Sequence, residues 1–246
     1  METQNLGSLP EFMDSLREVD SLLTAAPNQT LHEGLPSDHR LQRELGNAIT
    51  RACMVMLVAH FEGFIKAALT ELIDEICAAK PPARRIPDPL LELMTRGRID
   101  EILGTSGEER INRTRKLFTS YAQLWDDDRT VAPHLLSAKI LTRQFTNARP
   151  EVLGEVFGLI GVDDAISRID EAVNLAIKQR GDEATTIRVA VKLGEIVDRR
   201  NKIAHGDRSE TPTPPEIQNY KIFLKDVADA IALIVSQRIN YCCSLR

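Results

Sequence analysis

The sequence predicts an all-α fold, a helical bundle built around one very long central helix. Three observations carry that prediction. Apolar residues return every three to five positions along most of the 246-residue chain, the repeat of helices that each bury one face. Strand-like alternation of apolar and polar residues is almost absent. Prolines and a few glycines break the periodic stretches into segments of helical length.

The elements follow in order. A first amphipathic helix is expected from about Leu9 to Ala25, followed by a loop with Pro27, Gly34 and Pro36. Ser37-Asp38 reads as the cap of the next helix. From there Leu41, Leu45, Ile49, Cys53, Met56, Phe61, Phe64, Ala68, Leu72 and Ile76 mark one wide stripe. That is a helix of about 40 residues, spanning about 60 Å at the usual rise, and its width places it at the centre of the fold. Pro81-Pro82 ends it. The stretch 83–148 reads as three or four shorter helices: Asp88-Pro89 starts one, Ser106 with Glu109 resembles a capping box for a second, and Pro133 opens a third. Asn147 to Pro150 breaks the chain again. Glu151–Ile160 is then a short helix closed by Gly161, and Asp163-Asp164 begins one that ends near Gly181. Ala184–Ala204 is the next amphipathic helix, with Ile187, Val191, Ile196 and Ile203 among its apolar positions, and Gly206 stops it. Ser209 to Pro215 is a proline-rich linker, and Glu216–Tyr241 makes the last helix on Ile217, Tyr220, Leu224, Val227, Ile231, Ile234 and Ile239. The chain divides into an N-terminal helix and loop (1–36) and a single helical domain (37–246) with a helical insert at about 83–148.

Composition narrows the function. Aromatics make up only 4% of residues, too few for base-stacking platforms. The net charge of -5 rules out general polyanion binding, so contact with nucleic acid needs a local basic pocket. Cys53, Cys77, Cys242 and Cys243 lack metal-ligand spacing and read as reduced thiols. Met1-Glu2-Thr3-Gln4 lacks the regions of a secretion signal. The most apolar stretch, Ala52 to Leu69, carries His60, Glu62 and Lys66 and makes a poor membrane span. The expectation is a cytoplasmic protein with no membrane partner, no cofactor and no metal. Asp126-Asp127-Asp128 reads as a turn. Glycine-rich phosphate loops, nucleophile elbows and zinc motifs are all missing, and no pair of helices suggests a DNA-reading regulator.

One stretch carries chemistry: Arg200-Asn201-Lys202-Ile203-Ala204-His205-Gly206. It joins a phosphate-binding cation to a proton-transfer group at a helix end. Histidine titrates near neutrality, which suits it to general acid–base work. Asn201 and His205 lie about 40° apart on one helical face, while Arg200 lies about 140° from His205. The bland account of the same residues is a basic last turn that complements the helix dipole, with His205 as a cap. Spacing alone is weak: Arg129 and His134 repeat it across Pro133, where the two need not share a helix. Glu62 and Lys66 are explained by a simple i,i+4 ion pair, and Asp207 follows the motif closely enough to hydrogen-bond His205. His60 reads as a core residue. Arg84, Arg85, Arg96, Arg98, Arg110, Arg113, Arg115 and Lys116 are nearly cancelled by interspersed carboxylates and read as a solvated face.

Residues 200–205 resemble the arginine, polar residue, three residues, histidine motif of the HEPN superfamily. The chain is similar to its nuclease-type members of bacterial toxin and defence systems, such as the RiboL-PSP-HEPN group. His60-Phe61-Glu62-Gly63-Phe64-Ile65-Lys66 resembles their first core helix with its Glu-x-x-x-Lys pattern, and Arg149 to Gly161 resembles their central segment. The likeness spans about 37–243. It implies a HEPN-like bundle that forms homodimers, with the motifs of two subunits facing one cleft. It also implies a metal-independent endoribonuclease that leaves 2′,3′-cyclic phosphate and 5′-hydroxyl ends, with an antitoxin or other regulator as a further partner. His205 would be the general base or acid, Arg200 would stabilise the phosphorane-like charge, and Asn201 would orient either group. Glu62, Lys66 and Asp207 would support them. Two rival readings are a catalytically silent HEPN module that binds RNA or mediates assembly, and an all-α interaction protein with no nucleic acid partner.

Overall fold

A computed structural model describes residues 6–26, 39–126, 128–181 and 186–244. The expected loop with Pro27, Gly34 and Pro36, the Ser37-Asp38 cap, Asp127 and the helix start at Ala184 lie outside the described residues. Those residues form α1 (Ser8–Thr24), α2 (His39–Ala79), α3 (Asp88–Leu103), α4 (Gly107–Ser120), α5 (Ala138–Thr142), α6 (Pro150–Leu159), α7 (Ala165–Gln179), α8 (Val189–Ala204) and α9 (Pro214–Cys243). Three 3₁₀ turns join them, at Ala83–Arg85, Tyr121–Trp125 and Pro133–Leu135. The described fold is all-α. Its one extended pairing is an isolated antiparallel bridge between Pro82 and Thr130.

The 41 residues of α2 run through the centre, packed against α1, α5, α8 and α9. By length and composition α2 could cross a membrane, yet half of its most apolar window is buried by the other helices, as in a core helix. Phe12 of α1 meets Phe61 and Phe64 of α2 with ring centroids 6.0 and 5.3 Å apart, the tilted geometry aromatic pairs prefer. The start of α1 is held by a side chain far along the chain. Glu71 of α2 accepts from Gly7 N at 2.9 Å and Ser8 N at 2.6 Å, satisfying donors that every helix start leaves free. The apolar positions expected on α9 are all buried. Cys53 and Cys242 are buried free thiols, and burial pushes both up to about 11.

Several expectations need correcting. Leu41 and Leu45 are exposed, so the first turns of α2 stand outside the core. Ser106 precedes α4 but forms no cap, because Gly107 takes the left-handed φ of 61° and turns the chain before the first amides align. Glu109 pairs with Arg113 instead. Pro133 opens only a 3₁₀ turn, after which extended backbone at Leu136 brings both Leu135 and Leu136 into the core. The helix expected from Ala184 begins at Val189. Asn174 holds the segment before it extended, donating to Ile187 O at 2.9 Å and accepting from Ile187 N at 2.8 Å. Asp170 accepts from Val189 N at 2.6 Å. Ile187 therefore precedes the helix, and Val191 is exposed. Pro214 and Pro215 belong to α9, whose first turn tolerates proline and whose start is a capping box of Thr213 and Glu216.

Candidate active site

The site grows from the C-terminal turn of α8. Leu193, Ile196, Val197 and Ile203 anchor its buried face, which leaves the positions between them to face neighbours or solvent. Gly206, at φ 88°, stops the helix. Gly206 N donates to Ile203 O and Asp207 N to Lys202 O, both at 3.0 Å, the paired bonds of a Schellman stop. His205 is the residue just before that stop. It is exposed, and its imidazole makes no hydrogen bond to any described residue. His205 N donates to Asn201 O at 2.9 Å, so the half-buried Asn201 lies one turn below it on the same face.

Arg200 turns the other way, into the bundle. Its Nη2 donates to Glu62 Oε1, with the two side chains only 21% and 18% exposed. The same Glu62 oxygen accepts from Ala148 N at 3.1 Å. Next to Ala148, Arg149 pairs with Asp198 of α8, and Asn147 Oδ1 accepts from Arg149 N at 2.9 Å. Three separated segments, the middle of α2, the start of α6 and the end of α8, thus converge on one carboxylate. Lys66 is exposed and does not form the expected pair with Glu62, because Arg200 takes that carboxylate. Within the chain Arg200 and His205 do not meet, in keeping with their wide angular separation.

Asp207 does not reach His205. Its Oδ1 accepts from Ser209 N at 2.9 Å and Ser209 Oγ at 2.7 Å, and those bonds lower its carboxyl below the usual range. His60 is partly buried, with Nε2 3.3 Å from Glu18 Oε2 but not aligned for a hydrogen bond.

Two residues of the site stand outside the sequence reading. Arg51 of α2 donates through Nη1 to Asp207 O and, at 2.9 Å, to Glu210 O. Arg199 reaches Glu210 at 3.1 Å, Glu216 at 2.9 Å and the Tyr220 hydroxyl at 2.7 Å. Burial opposes its charge, but the bonds to Tyr220 and Glu216 win and raise it above the usual arginine range. Lys202 adds a bond to Glu210 at 3.1 Å, the largest cause of that carboxyl's lowered pKa. Arg51 left a sequence signal, since it sits 11 positions before Glu62 (62 − 51) and three helical turns return it to nearly the same face. Arg199 left none beyond its place beside the motif.

The other arginine–histidine spacing is a coincidence in space as well. Arg129 pairs with Asp126 in a turn, and His134 sits in the 3₁₀ turn beyond Pro133. Asp128 is taken by Arg84. A cleft of about 1010 Å³ between α3 and α4, walled by Arg98, Glu101, Arg113, Lys116, Tyr121 and His134, includes none of the motif residues. Its arginines are matched there, Arg98 by Glu101 and Arg113 by Glu109. Among the described residues no group of three or more His, Cys, Asp or Glu side chains is placed to hold a metal ion.

The family model RiboL-PSP-HEPN fits residues 15–237. The match begins inside α1, earlier than the likeness read from the motifs. No curated protein and no solved structure matches the chain.

Proposed function

This chain belongs to the RiboL-PSP-HEPN family, and from that premise we propose that it is a metal-independent endoribonuclease acting as a homodimer. The family points to RNase-type or RNA-related work; the finer reading rests on the motif. One observation carries it. Arg200 is fixed by Glu62 in a half-buried setting, while the exposed His205 imidazole sits at a capped helix end with no hydrogen-bond partner among the described residues. A general base must be able to come within hydrogen-bond reach of the proton it abstracts, and an exposed imidazole at a helix end can do so.

In the proposed reaction one His205 imidazole removes the proton from a ribose 2′-hydroxyl. The 2′-oxygen attacks phosphorus as the bond to the 5′-oxygen breaks, and a protonated imidazole supplies the proton that oxygen needs. A 2′,3′-cyclic phosphate and a 5′-hydroxyl result. Arg200 stabilises charge on the phosphoryl oxygens, and Asn201 orients the imidazole or the phosphate. Glu62 keeps the guanidinium aimed, and Lys66, one turn along α2, adds positive charge.

The second subunit answers the separation of Arg200 from His205, since one copy's arginine then serves the other's histidine. Two features support this arrangement. The outward face of α8 carries Val191, Gly194, Asp198, Asn201 and His205 at i, i+3, i+7, i+10 and i+14. On α2, exposed Leu41, Leu45, Ala48, Ala52, Ala59 and Gly63 form another such stripe. Gly63 and Gly194 each lie within a helix, and a Cβ added at either meets nothing within 4 Å. Packing within one chain gives no reason for glycine there; close approach of a second helix does. A cytoplasmic toxin or defence effector held in check by an antitoxin fits this reading.

The test is cleavage of RNA by purified wild-type, Arg200→Ala and His205→Ala proteins, with and without EDTA. Wild type should cut RNA and spare DNA with chelator present, and both variants should lose activity while keeping their helical signal. Equal cutting by His205→Ala removes the catalytic assignment. Wild-type protein that binds RNA without cutting it favours the silent-module reading, which draws on the failure of Arg200 and His205 to meet in one subunit.

A further inference from the structure

We infer that Arg51 is a positioning residue for His205, tying the turn that bears the imidazole to the helix that fixes Arg200. The inference rests on the ribonuclease reading above and adds a residue to its site.

Among the described residues the His205 imidazole has no hydrogen-bond partner, so the backbone sets where the ring sits. That backbone is closely held. His205 N, Gly206 N and Asp207 N are bound within the Schellman stop, and Ser209 N is bound by the Asp207 carboxylate. Those bonds are all local and shape the turn without locating it in the molecule. Arg51 supplies the link to the bundle. One guanidinium nitrogen binds the carbonyls of Asp207 and Glu210, at either end of the segment that follows the imidazole. Arg199 and Lys202 hold the Glu210 side chain to α8.

The register along α2 gives this link its purpose. Arg51 and Glu62 lie about 20° apart on one face and about 16.5 Å apart along the axis. Glu62 fixes Arg200, and Arg51 fixes the turn beyond His205. The two ends of the motif are therefore referred to one rigid helix, which runs antiparallel to α8. Small displacements of a positioned group are costly, since a shift of about 1 Å can lower a rate about a hundredfold.

The variant Arg51→Met keeps the apolar stem and removes the donors; Arg51→Lys restores one cationic donor group. The expected result is a kcat lowered about ten- to a hundredfold in Arg51→Met, with KM little changed and thermal stability near wild type. Arg51→Lys should recover part of the loss. A second arm follows the His205 imidazole by ¹H–¹³C NMR, assigned as the signal missing from His205→Gln, and Arg51→Met should shift or broaden it. Wild-type kcat in folded Arg51→Met, or an unmoved His205 signal, overturns the inference. So does collapse of the whole bundle in Arg51→Met with Arg51→Lys no better, since the arginine would then support the fold rather than one turn. Wild-type protein that leaves RNA intact sinks the ribonuclease reading, and the NMR arm still decides whether Arg51 holds His205.

Discussion

Removing the Glu62 carboxylate should cost stability and activity together, and the geometry sets the scale. Glu62 accepts from both Arg200 and the Ala148 amide, so Glu62→Ala leaves a guanidinium and an amide without their partner. Removing one member of a fully buried pair costs about 3–5 kcal/mol, whereas an exposed pair contributes about 0–1 kcal/mol. With the side chains 21% and 18% exposed, Glu62→Ala should fall between, at about 2–3 kcal/mol. For a chain of this size that lowers Tm by about 5–10 °C. Glu62→Gln keeps an acceptor for Ala148 N and should lose only about 1 kcal/mol. Thermal melts followed by far-UV circular dichroism give both values. Adding Arg200→Ala to Glu62→Ala should cost far less than the sum of the two single effects. An unchanged Tm for Glu62→Ala, or strict additivity in the double variant, would refute the reasoning.

The carboxyls of Glu195, Glu210 and Glu216 lie below the ordinary value of 4.5 in the folded chain. Their contribution is therefore complete above pH 4.5 and lost as pH falls through the lower folded values. Urea midpoints should drop in that acid range, less steeply in Arg199→Met, and an equally steep drop in that variant would count against the network. Gly63→Ala and Gly194→Ala should each stabilise the folded monomer by up to about 1 kcal/mol while weakening self-association in sedimentation; unchanged association would remove those faces from the interface. Gly161→Ala should destabilise by about 1–3 kcal/mol in the same melts, because the chain there takes the left-handed φ of 77°. Cys53 and Cys242 should resist thiol reagents at neutral pH in the native protein and react on unfolding, since their raised pKa keeps the thiolate scarce.

Periodicity made most of the fold legible. The stripes of α2 and α9 are long enough that their centres could be placed without any tertiary information, and Pro89 and Pro150 marked starts that α3 and α6 use. Boundaries failed where a distant side chain decides them. Nothing near Ala184 shows that Asn174 and Asp170 hold the chain extended until Val189, and the exposed Val191 fits a stripe until the real one is known. The site was legible as a set of residue types. The partner of Glu62 was not, because Lys66 and Arg200 are equally good cations and only the packing of α2 beside α8 selects between them. Arg51 shares a helical face with Glu62 in the sequence, but its acceptors were not legible, since they are backbone carbonyls, which carry no residue identity.

The bonds from Glu71 to Gly7 and Ser8 also bear on where this chain can be shortened. A protein begun at residue 37 would strip Phe12 from Phe61 and Phe64 and leave the Glu71 carboxylate facing water instead of two amides. The bared aromatic surface would favour clumping of such truncated molecules during expression. A minimal soluble version should therefore retain the opening helix.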